Sequence, residues 1–321
     1  MKAIGAIDVG GTKIAVGAVA EDGTLLGSSR RPTFTDRGFA AAMRDAAEML
    51  RELTARLGIE LLGVGVACPG PLDPFTGILG DVGTLPGWEG GDIVSELESA
   101  FHVPVIVEND ADAAALAEAH WGAGQHSRRF VYVTISTGVG AGIVLSGDLY
   151  RGVDGAHPEI GHHIVDASGP RCYCGARGCW EALASGLAMA EWMRQQIPAE
   201  NGWSAARICE LARAGDEAAR RAVEREAHYI GLGLANLITI FAPDMIAIGG
   251  GVMKSADLFL PRVRELLREI VTQVPLEKAR LTAPALGDDS GLVGAALSWL
   301  QRSPVSYRGV ETPHHRSEHV R

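Results

Sequence analysis

Short apolar runs recur along the chain, and most of them end at Gly, Asp or Pro. Such runs are typical of buried β-strands, whereas apolar residues spaced three or four positions apart indicate helices. Strands are expected at residues 3–7, 14–19, 62–66, 103–107, 131–135, 143–145 and 245–248. Helices are expected at residues 39–57, 108–121, 180–196, 205–214, 217–241 and 291–300. From residue 303 onward the periodicity is lost, which predicts a mobile tail.

An internal repeat is visible in this pattern. Residues 3–23 and 131–148 share the order strand, Gly- and Thr-rich loop, strand, turn. The glycines of both loops would let backbone N–H groups approach phosphate oxygens, although an ordinary tight turn is the alternative. A strand follows the first loop, so it is not a Walker loop, which opens a helix. Two such units predict a duplicated fold whose phosphate loops face each other across a cleft.

The segment after the strand at 103–107 contains a candidate functional carboxylate. Glu108-Asn109-Asp110 opens an alanine-rich helix, which places Asp110 at a helix N-terminus, where the dipole favours the ionised form. An aspartate that merely caps the helix is the alternative interpretation.

Three cysteines and a nearby histidine form a cluster of potential metal ligands. Cys172, Cys174 and Cys179 fall within eight positions, with His162 upstream. Thiolates and an imidazole at short spacing suit a tetrahedral zinc site, while buried thiols or a disulfide are the alternative. His157 and His163 compete with His162 for the fourth position. Four protein ligands would close the tetrahedron, so the zinc is expected to be structural.

Composition narrows the class of protein. With 321 residues the chain is longer than a single hydrophobic core usually accommodates, which predicts two domains. The net charge of -10 argues against nucleic acid or an anionic membrane as a partner. No apolar run approaches the ~20 residues of a membrane span, and no signal peptide is evident. Cysteines committed to a metal fit a reducing compartment, so a cytoplasmic location is expected.

The motifs resemble the ROK family of sugar kinases and related repressors. The resemblance is carried by the family's motifs in the family's order: Asp8-Val9-Gly10-Gly11-Thr12-Lys13, Glu108-Asn109-Asp110-Ala111, Thr137-Gly138-Val139-Gly140, Glu159-x-x-His162 and Cys172-x-Cys174-Gly175-x-x-Gly178-Cys179-x-Glu181. It covers the chain up to the last helix. The resemblance implies an α/β, actin-like ATPase (ribonuclease H-like) fold with two α/β domains around a cleft. It also implies ATP and Mg²⁺ as cofactors, and transfer of a phosphoryl group to a hexose.

Residue roles follow from the same resemblance. Asp110 is similar to the general base that takes the proton of the sugar 6-hydroxyl, and Asp8 to the residue that orients hydrated magnesium. The sugar would be bound by Gly70, Asn109, Asp110, Glu159, His162 and Glu181. The phosphates would lie along Gly10, Gly11, Thr12, Lys13, Thr137 and Gly138. Gly249, Gly250 and Gly251 are expected on the adenosine side. The zinc ligands would be His162, Cys172, Cys174 and Cys179.

Three residues depart from the family pattern near the expected sugar site. Asp112 and Thr84 stand where the family usually has Asn, and His163 stands where many glucokinases have Met. Glucose is the expected substrate. A kinase of N-acetylmannosamine or N-acetylglucosamine and a fructokinase are the alternatives, because a smaller Thr84 leaves room for other substituents.

A sugar-sensing repressor is the alternative from another class. Such repressors carry a helix-turn-helix ahead of the first loop, and here that loop begins at Asp8. The resemblance further implies a homodimer. The expected domains are residues 1–114 with 290–302, residues 115–289 with the zinc motif, and the tail 303–321.

Overall fold

Two five-stranded sheets with the same topology form the framework of this computed structural model, which describes residues 1–302. The first sheet has the order β3-β2-β1-β4-β5, and its strands are β1 (Lys2–Val9), β2 (Lys13–Val19), β3 (Leu25–Pro32), β4 (Glu60–Cys68) and β5 (Val105–Asn109). The second has the order β10-β9-β6-β7-β8, and its strands are β6 (Arg129–Ile135), β7 (Val139–Leu145), β8 (Asp148–Leu149), β9 (Met245–Gly249) and β10 (Arg280–Thr282).

Strand directions confirm the internal repeat. In the first sheet β1 pairs antiparallel with β2 and parallel with β4. In the second, β6 pairs antiparallel with β7 and parallel with β9. In each sheet the Gly- and Thr-rich loop therefore connects the central strand to its antiparallel neighbour. The two loops lie at equivalent ends of equivalent strands.

Nine α-helices accompany the sheets within residues 1–302. They are α1 (Phe39–Leu57), α2 (Ile93–Phe101), α3 (Asp110–Trp121), α4 (Trp180–Ala184), α5 (Gly186–Gln196), α6 (Ala205–Ala214), α7 (Glu217–Phe241), α8 (Ala256–Ile270) and α9 (Ser290–Arg302). Helices α1 and α2 pack on one face of the first sheet, and α9 packs on the other. Helices α4 to α8 cover one face of the second sheet, and α3 covers the opposite face.

Helices α3 and α9 run between the two halves of the molecule, and small residues bring them close. A Cβ on Gly294 of α9 would overlap the carbonyl of Ala113 on α3. A Cβ on Gly142 of β7 would lie 2.6 Å from the carbonyl oxygen of Ala111. Glycine is therefore required where α3 contacts both α9 and the second sheet. The N-terminus of α3 consequently lies between the two glycine loops.

Several elements differ from the sequence expectation. The helix expected at 180–196 is interrupted at Ser185, whose extended backbone (φ -109, ψ 164) ends α4 and whose Oγ caps α5 at Ala188 N. Helix α3 begins at Asp110 instead of 108, because Asn109 takes the N-cap position. Helices α2 and α8 and strands β3, β8 and β10 were not expected. The predicted tail 303–321 lies outside the described residues, and the domain boundaries stay a prediction. No helix in residues 1–302 is long and apolar enough to cross a bilayer.

Candidate active site

A cavity of about 500 Å³ lies between the two glycine loops. It is lined by most of the residues that the sequence singled out: Asp8, Gly10, Gly11, Thr12, Lys13, Gly70, Asn109, Asp110, Thr137, Gly138, Glu159, His162, Glu181, Gly250 and Gly251. Gly249 is the exception, because it is buried inside β9, where a Cβ would meet Pro284 and Tyr132. The positions predicted to bind sugar and phosphates thus converge on one cleft, while Gly249 lies outside its lining.

The first loop is a tight turn that presents Asp8 to the cleft. Gly10 N donates to Lys13 O at 2.9 Å, which closes the turn. Burial raises the pKa of Asp8 to about 6, and the charge of Asp110 adds to this effect, whereas Lys13 opposes it. A Cβ on Gly291 of α9 would lie 2.8 Å from Asp8 Oδ2, so only glycine leaves this carboxylate open. A carboxylate oxygen that faces the cleft is the kind of ligand that a hard divalent cation such as Mg²⁺ prefers.

Asn109 and Asp110 divide two tasks at the start of α3. Asn109 Oδ1 accepts hydrogen bonds from Ala111 N (2.9 Å) and Asp112 N (3.2 Å), so Asn109 is the helix cap. Within residues 1–302, Asp110 Oδ1 accepts from Ala111 N alone, at 2.8 Å. The alternative that Asp110 serves merely as the cap is therefore wrong, and its second oxygen is not committed to the helix end. Burial raises the pKa of Asp110, an effect that the charge of His157 counteracts.

Polar groups of both halves of the molecule surround Asp110. A Cβ on Gly70 would lie 3.3 Å from Glu159 Oε1 and 3.4 Å from Asn109 Nδ2, so these groups face one another across Gly70. Glu181, in the first turn of α4, accepts from Val139 N at 2.9 Å. Carboxylate and amide groups gathered in this way are the partners that the hydroxyls of a sugar require.

The second glycine loop and the end of β9 form the opposite wall. Thr137 and Gly138 follow β6, and a Cβ on Gly138 would overlap the carboxylate of Glu181. Gly250 has φ +93, a conformation that favours glycine, and a Cβ there would also overlap the backbone of Ile135. Close backbone approach is thus built into this wall, as a phosphate- or nucleotide-binding surface needs.

The cysteine cluster lies directly behind the carboxylates. The ligand atoms of His162, Cys172, Cys174 and Cys179 all lie within 4.8 Å of one another. His162 Nδ1 is 3.5 Å from Cys172 Sγ, and Cys174 Sγ is 3.6 Å from Cys179 Sγ. Three thiols and one imidazole at these separations fit a tetrahedral zinc site. The turn itself requires glycine at 178 (φ +70), where a Cβ would overlap the carbonyl of Asp166.

The structure separates the three candidate histidines. His163 Nδ1 contacts the carbonyl of Ile160 at 2.5 Å, and His157 pairs with Asp112, so neither joins the cluster. His162 turns its Nε2 toward the Tyr173 hydroxyl at 3.0 Å. Tyr173 lines the cleft and was missed in the sequence, where its position between two cluster cysteines was the available signal.

The geometry agrees with the comparisons to known proteins. The model of the ROK family matches residues 4–302. The chain belongs to the ROK family. Its two similar sheets, with the cleft between them, confirm the expected α/β, actin-like ATPase fold.

Relatives within the ROK family are matched over almost their full length. The glucokinase of Thermotoga maritima is 32% identical over 308 residues, which cover 92% of this chain and 96% of that protein. The N-acetylmannosamine kinase of Yersinia pestis is 34% identical over 305 residues, which cover 93% of this chain and 98% of that one. A ROK family glucokinase from Streptomyces griseus, solved in complex with glucose and AMPPNP, superposes with a TM-score of 0.80 at 32% identity, covering 92% and 98% of the two chains.

Proposed function

We propose that this chain is an ATP-dependent hexose kinase that transfers a phosphoryl group to the 6-hydroxyl of glucose. The observation that carries the proposal is the convergence of two glycine loops, Asp8 and Asp110 on one cavity. The similarity to the glucokinase that was solved with glucose and AMPPNP supports both substrates. Phosphoryl transfer needs positioning, charge neutralisation and a base more than covalent machinery, and this cleft offers all three.

In this proposal Asp110 is the general base. Its uncommitted oxygen accepts the hydroxyl proton as the phosphoryl group arrives, and its raised pKa makes it a better proton acceptor than an exposed aspartate. Asn109, Glu159, His162, Glu181 and the backbone of Gly70 hold the other hydroxyls, which orients the 6-oxygen. The hydrogen bond from Val139 N holds the carboxylate of Glu181 in place.

The nucleotide occupies the glycine-rich walls in this proposal. The phosphates lie along Gly10, Gly11, Thr12, Lys13, Thr137 and Gly138, and the adenosine lies against Gly250 and Gly251. Asp8 would hold Mg²⁺, which neutralises phosphate charge when bound. Lys13 adds a positive charge at the mouth of the same loop.

We also propose that His162, Cys172, Cys174 and Cys179 hold a structural zinc. Four protein donors leave no open position for water, so the metal would position residues instead of reacting. Zinc on Nδ1 of His162 would fix the ring, and the residues on either side, Glu159 and Glu181, would be held with it. The zinc turn would thereby shape the sugar site.

N-acetylmannosamine is the second candidate substrate. The relative that carries this activity is as similar as the glucokinases, and the exposed Thr84 of the cleft is smaller than the family's usual Asn. ADP release with glucose, mannose, fructose, N-acetylglucosamine and N-acetylmannosamine decides between them. Glucose is expected to give the highest kcat/KM, and a higher value for an N-acetylated sugar would replace it.

The role of Asp110 is tested by Asp110→Asn. Asn109 remains as the helix cap, so the melting temperature is expected to stay near that of the unmodified protein. Turnover should fall by at least about 100-fold, because the substitution removes the basic oxygen. Dissociation constants of sugar and ATP should change only a few-fold. The matched control is Asp148→Asn on the exposed end of β8, and near-normal turnover in the Asp110 variant would refute the assignment.

A homodimer in the cytoplasm completes the proposal. Three thiols committed to a metal favour a reducing compartment. Light scattering during gel filtration measures the oligomeric state, and a mass of one chain would overturn the dimer.

A further inference from the structure

A buried pair of opposite charges lies next to the proposed base. Nδ1 of His157 is 2.9 Å from Oδ2 of Asp112, and their side chains are 11% and 0% exposed. His157 lines the cleft, while Asp112 lies on α3 two residues after Asp110. The sequence motifs did not assign a function to either residue.

Asp112 depends on His157 for its counter-charge. Within residues 1–302 neither oxygen of Asp112 has a hydrogen-bond partner, so the contact with His157 is one of close opposite charges instead of an aligned hydrogen bond. Arg151 approaches Asp112 only to 3.9 Å, and its guanidinium is bound to Glu108. A buried carboxylate is costly unless it is paired, and the pairing with Asp112 favours the charged form of His157. Burial alone would lower the pKa of His157, but Asp112 reverses this and raises it.

Asp110 is the group on which this positive charge acts. It faces Asp8 from β1, Glu159 from the loop before the cysteine cluster, and Asp112 from its own helix, and all three are acidic. His157 is the cation that acts most strongly on Asp110 among the described residues, and it lowers the pKa of that carboxyl. Without a positive charge here, burial and the neighbouring carboxylates would raise the pKa of Asp110 further.

We propose that His157 and Asp112 are a positioning pair that holds a positive charge beside Asp110 and so keeps this carboxylate ionised for catalysis. The inference rests on the proposed function, specifically on Asp110 as base. It assigns a role to Asp112. An uncharged Asn could not hold a protonated histidine in this buried position.

The first test is the pH dependence of kcat/KM for the sugar, measured with saturating ATP and Mg²⁺ so that Asp8 stays ionised. In His157→Gln the acid limb should move to higher pH by on the order of 1 unit. In the double variant His157→Gln/Asp112→Asn the acid limb should also move to higher pH, but by less. Asp112 raises the pKa of Asp110, although more weakly than His157 lowers it, so its removal partly offsets the loss of His157. The matched control is His120→Gln, an exposed position on α3. A merely structural role would lower stability and activity at every pH without moving the limb.

The second test does not depend on activity. The ring protons of His157, assigned by their loss in His157→Gln, are titrated by NMR in the unmodified protein and in Asp112→Asn. His157 should titrate above an ordinary histidine, and its pKa should fall in Asp112→Asn. An acid limb that stays in place in His157→Gln, or a His157 that titrates identically in both proteins, would overturn the inference. Absence of any sugar phosphorylation would instead refute the proposed function and leave the titration result standing.

Discussion

Glu118 of α3 ties the central helix to the segment that precedes α9. Its side chain is fully buried, and each oxygen accepts two hydrogen bonds. Oε2 accepts from Ala123 N (2.8 Å) and Ala285 N (2.9 Å). Oε1 accepts from Leu286 N (2.8 Å) and Ser290 Oγ (2.8 Å). We expect Glu118→Gln to loosen this connection, because a glutamine amide has only one oxygen to offer.

The geometry sets the size of the effect. If the new NH2 group takes the place of Oε1, Ser290 can turn its hydroxyl to its other acceptor, Gly287 O, at 2.9 Å. Leu286 N then keeps no acceptor and faces another donor. In the reverse orientation the NH2 group replaces Oε2, and the N–H groups of Ala123 and Ala285 lose their acceptor. An unsatisfied buried donor costs about 1–3 kcal/mol, and the remaining bonds lose their charge assistance, so the variant should lose about 2–4 kcal/mol of unfolding free energy.

Urea unfolding of Glu118→Gln beside Glu48→Gln measures this loss. Glu48 is exposed on α1, so the control should stay within about 0.5 kcal/mol of the unmodified protein. Gly287, Asp288 and Ser290 line the cleft next to the first loop. Nucleotide affinity should therefore fall by more than sugar affinity. If Glu118→Gln is as stable as the control, the four hydrogen bonds to Glu118 do not contribute the stability that is expected of them.

Two further predictions concern the large cluster of buried residues around the second sheet and the cysteine turn. Glu226 is fully buried with no hydrogen-bond partner in the described residues, and burial raises its pKa well above the ordinary value. The unfolded chain therefore releases this proton at lower pH than the folded one. As the pH rises above the ordinary pKa of glutamate, the unmodified protein loses stability that Glu226→Gln keeps, so the melting temperature of the variant relative to the unmodified protein should rise. A difference independent of pH would contradict this. Cys174→Ser should lower zinc content, melting temperature and sugar affinity together, and elemental analysis that finds no zinc in the unmodified protein would rule out the metal.

Much of the framework was predictable because its signals are local. Apolar runs that end at Gly or Asp mark strands of both sheets. The repeated order of strand and loop predicted that the two sheets share one topology. The helix predicted at residues 39–57 has the bounds of α1, and Gly58 directly after it adopts φ 64. The thiol cluster was equally local, since three of its four residues fall in one turn. The choice among three histidines needed the fold, because spacing alone leaves all of them within reach.

Other features depend on contacts between distant parts of the chain. The break at Ser185 could have been suspected from a serine before a glycine, but α4 and α5 share one apolar pattern in the sequence. Helix α8 does carry the helical spacing, with Phe259, Val263, Leu266 and Leu267 buried, and was overlooked. No local pattern pairs Asp112 with His157 or Glu118 with the segment before α9. Asp112 and Glu118 both lie in an alanine-rich helix whose sequence resembles that of an exposed helix, so their burial is not visible in the sequence.

Helix α3 connects the two sides of the cleft. Its N-terminus places Asn109 and Asp110 in the cleft, and Asp112, two residues after Asp110, reaches His157 in the second half of the molecule. Further along the helix, Glu118 holds the segment before α9 by hydrogen bonds from Ala285 N and Leu286 N. In the proposed function, a displacement of α3 would therefore move the base, its charge partner and the segment at Gly287–Ser290 together. A Cβ on Gly294 or Gly142 would overlap atoms of α3, so the helix packs directly against α9 and β7, and such a displacement would have to move these neighbours as well.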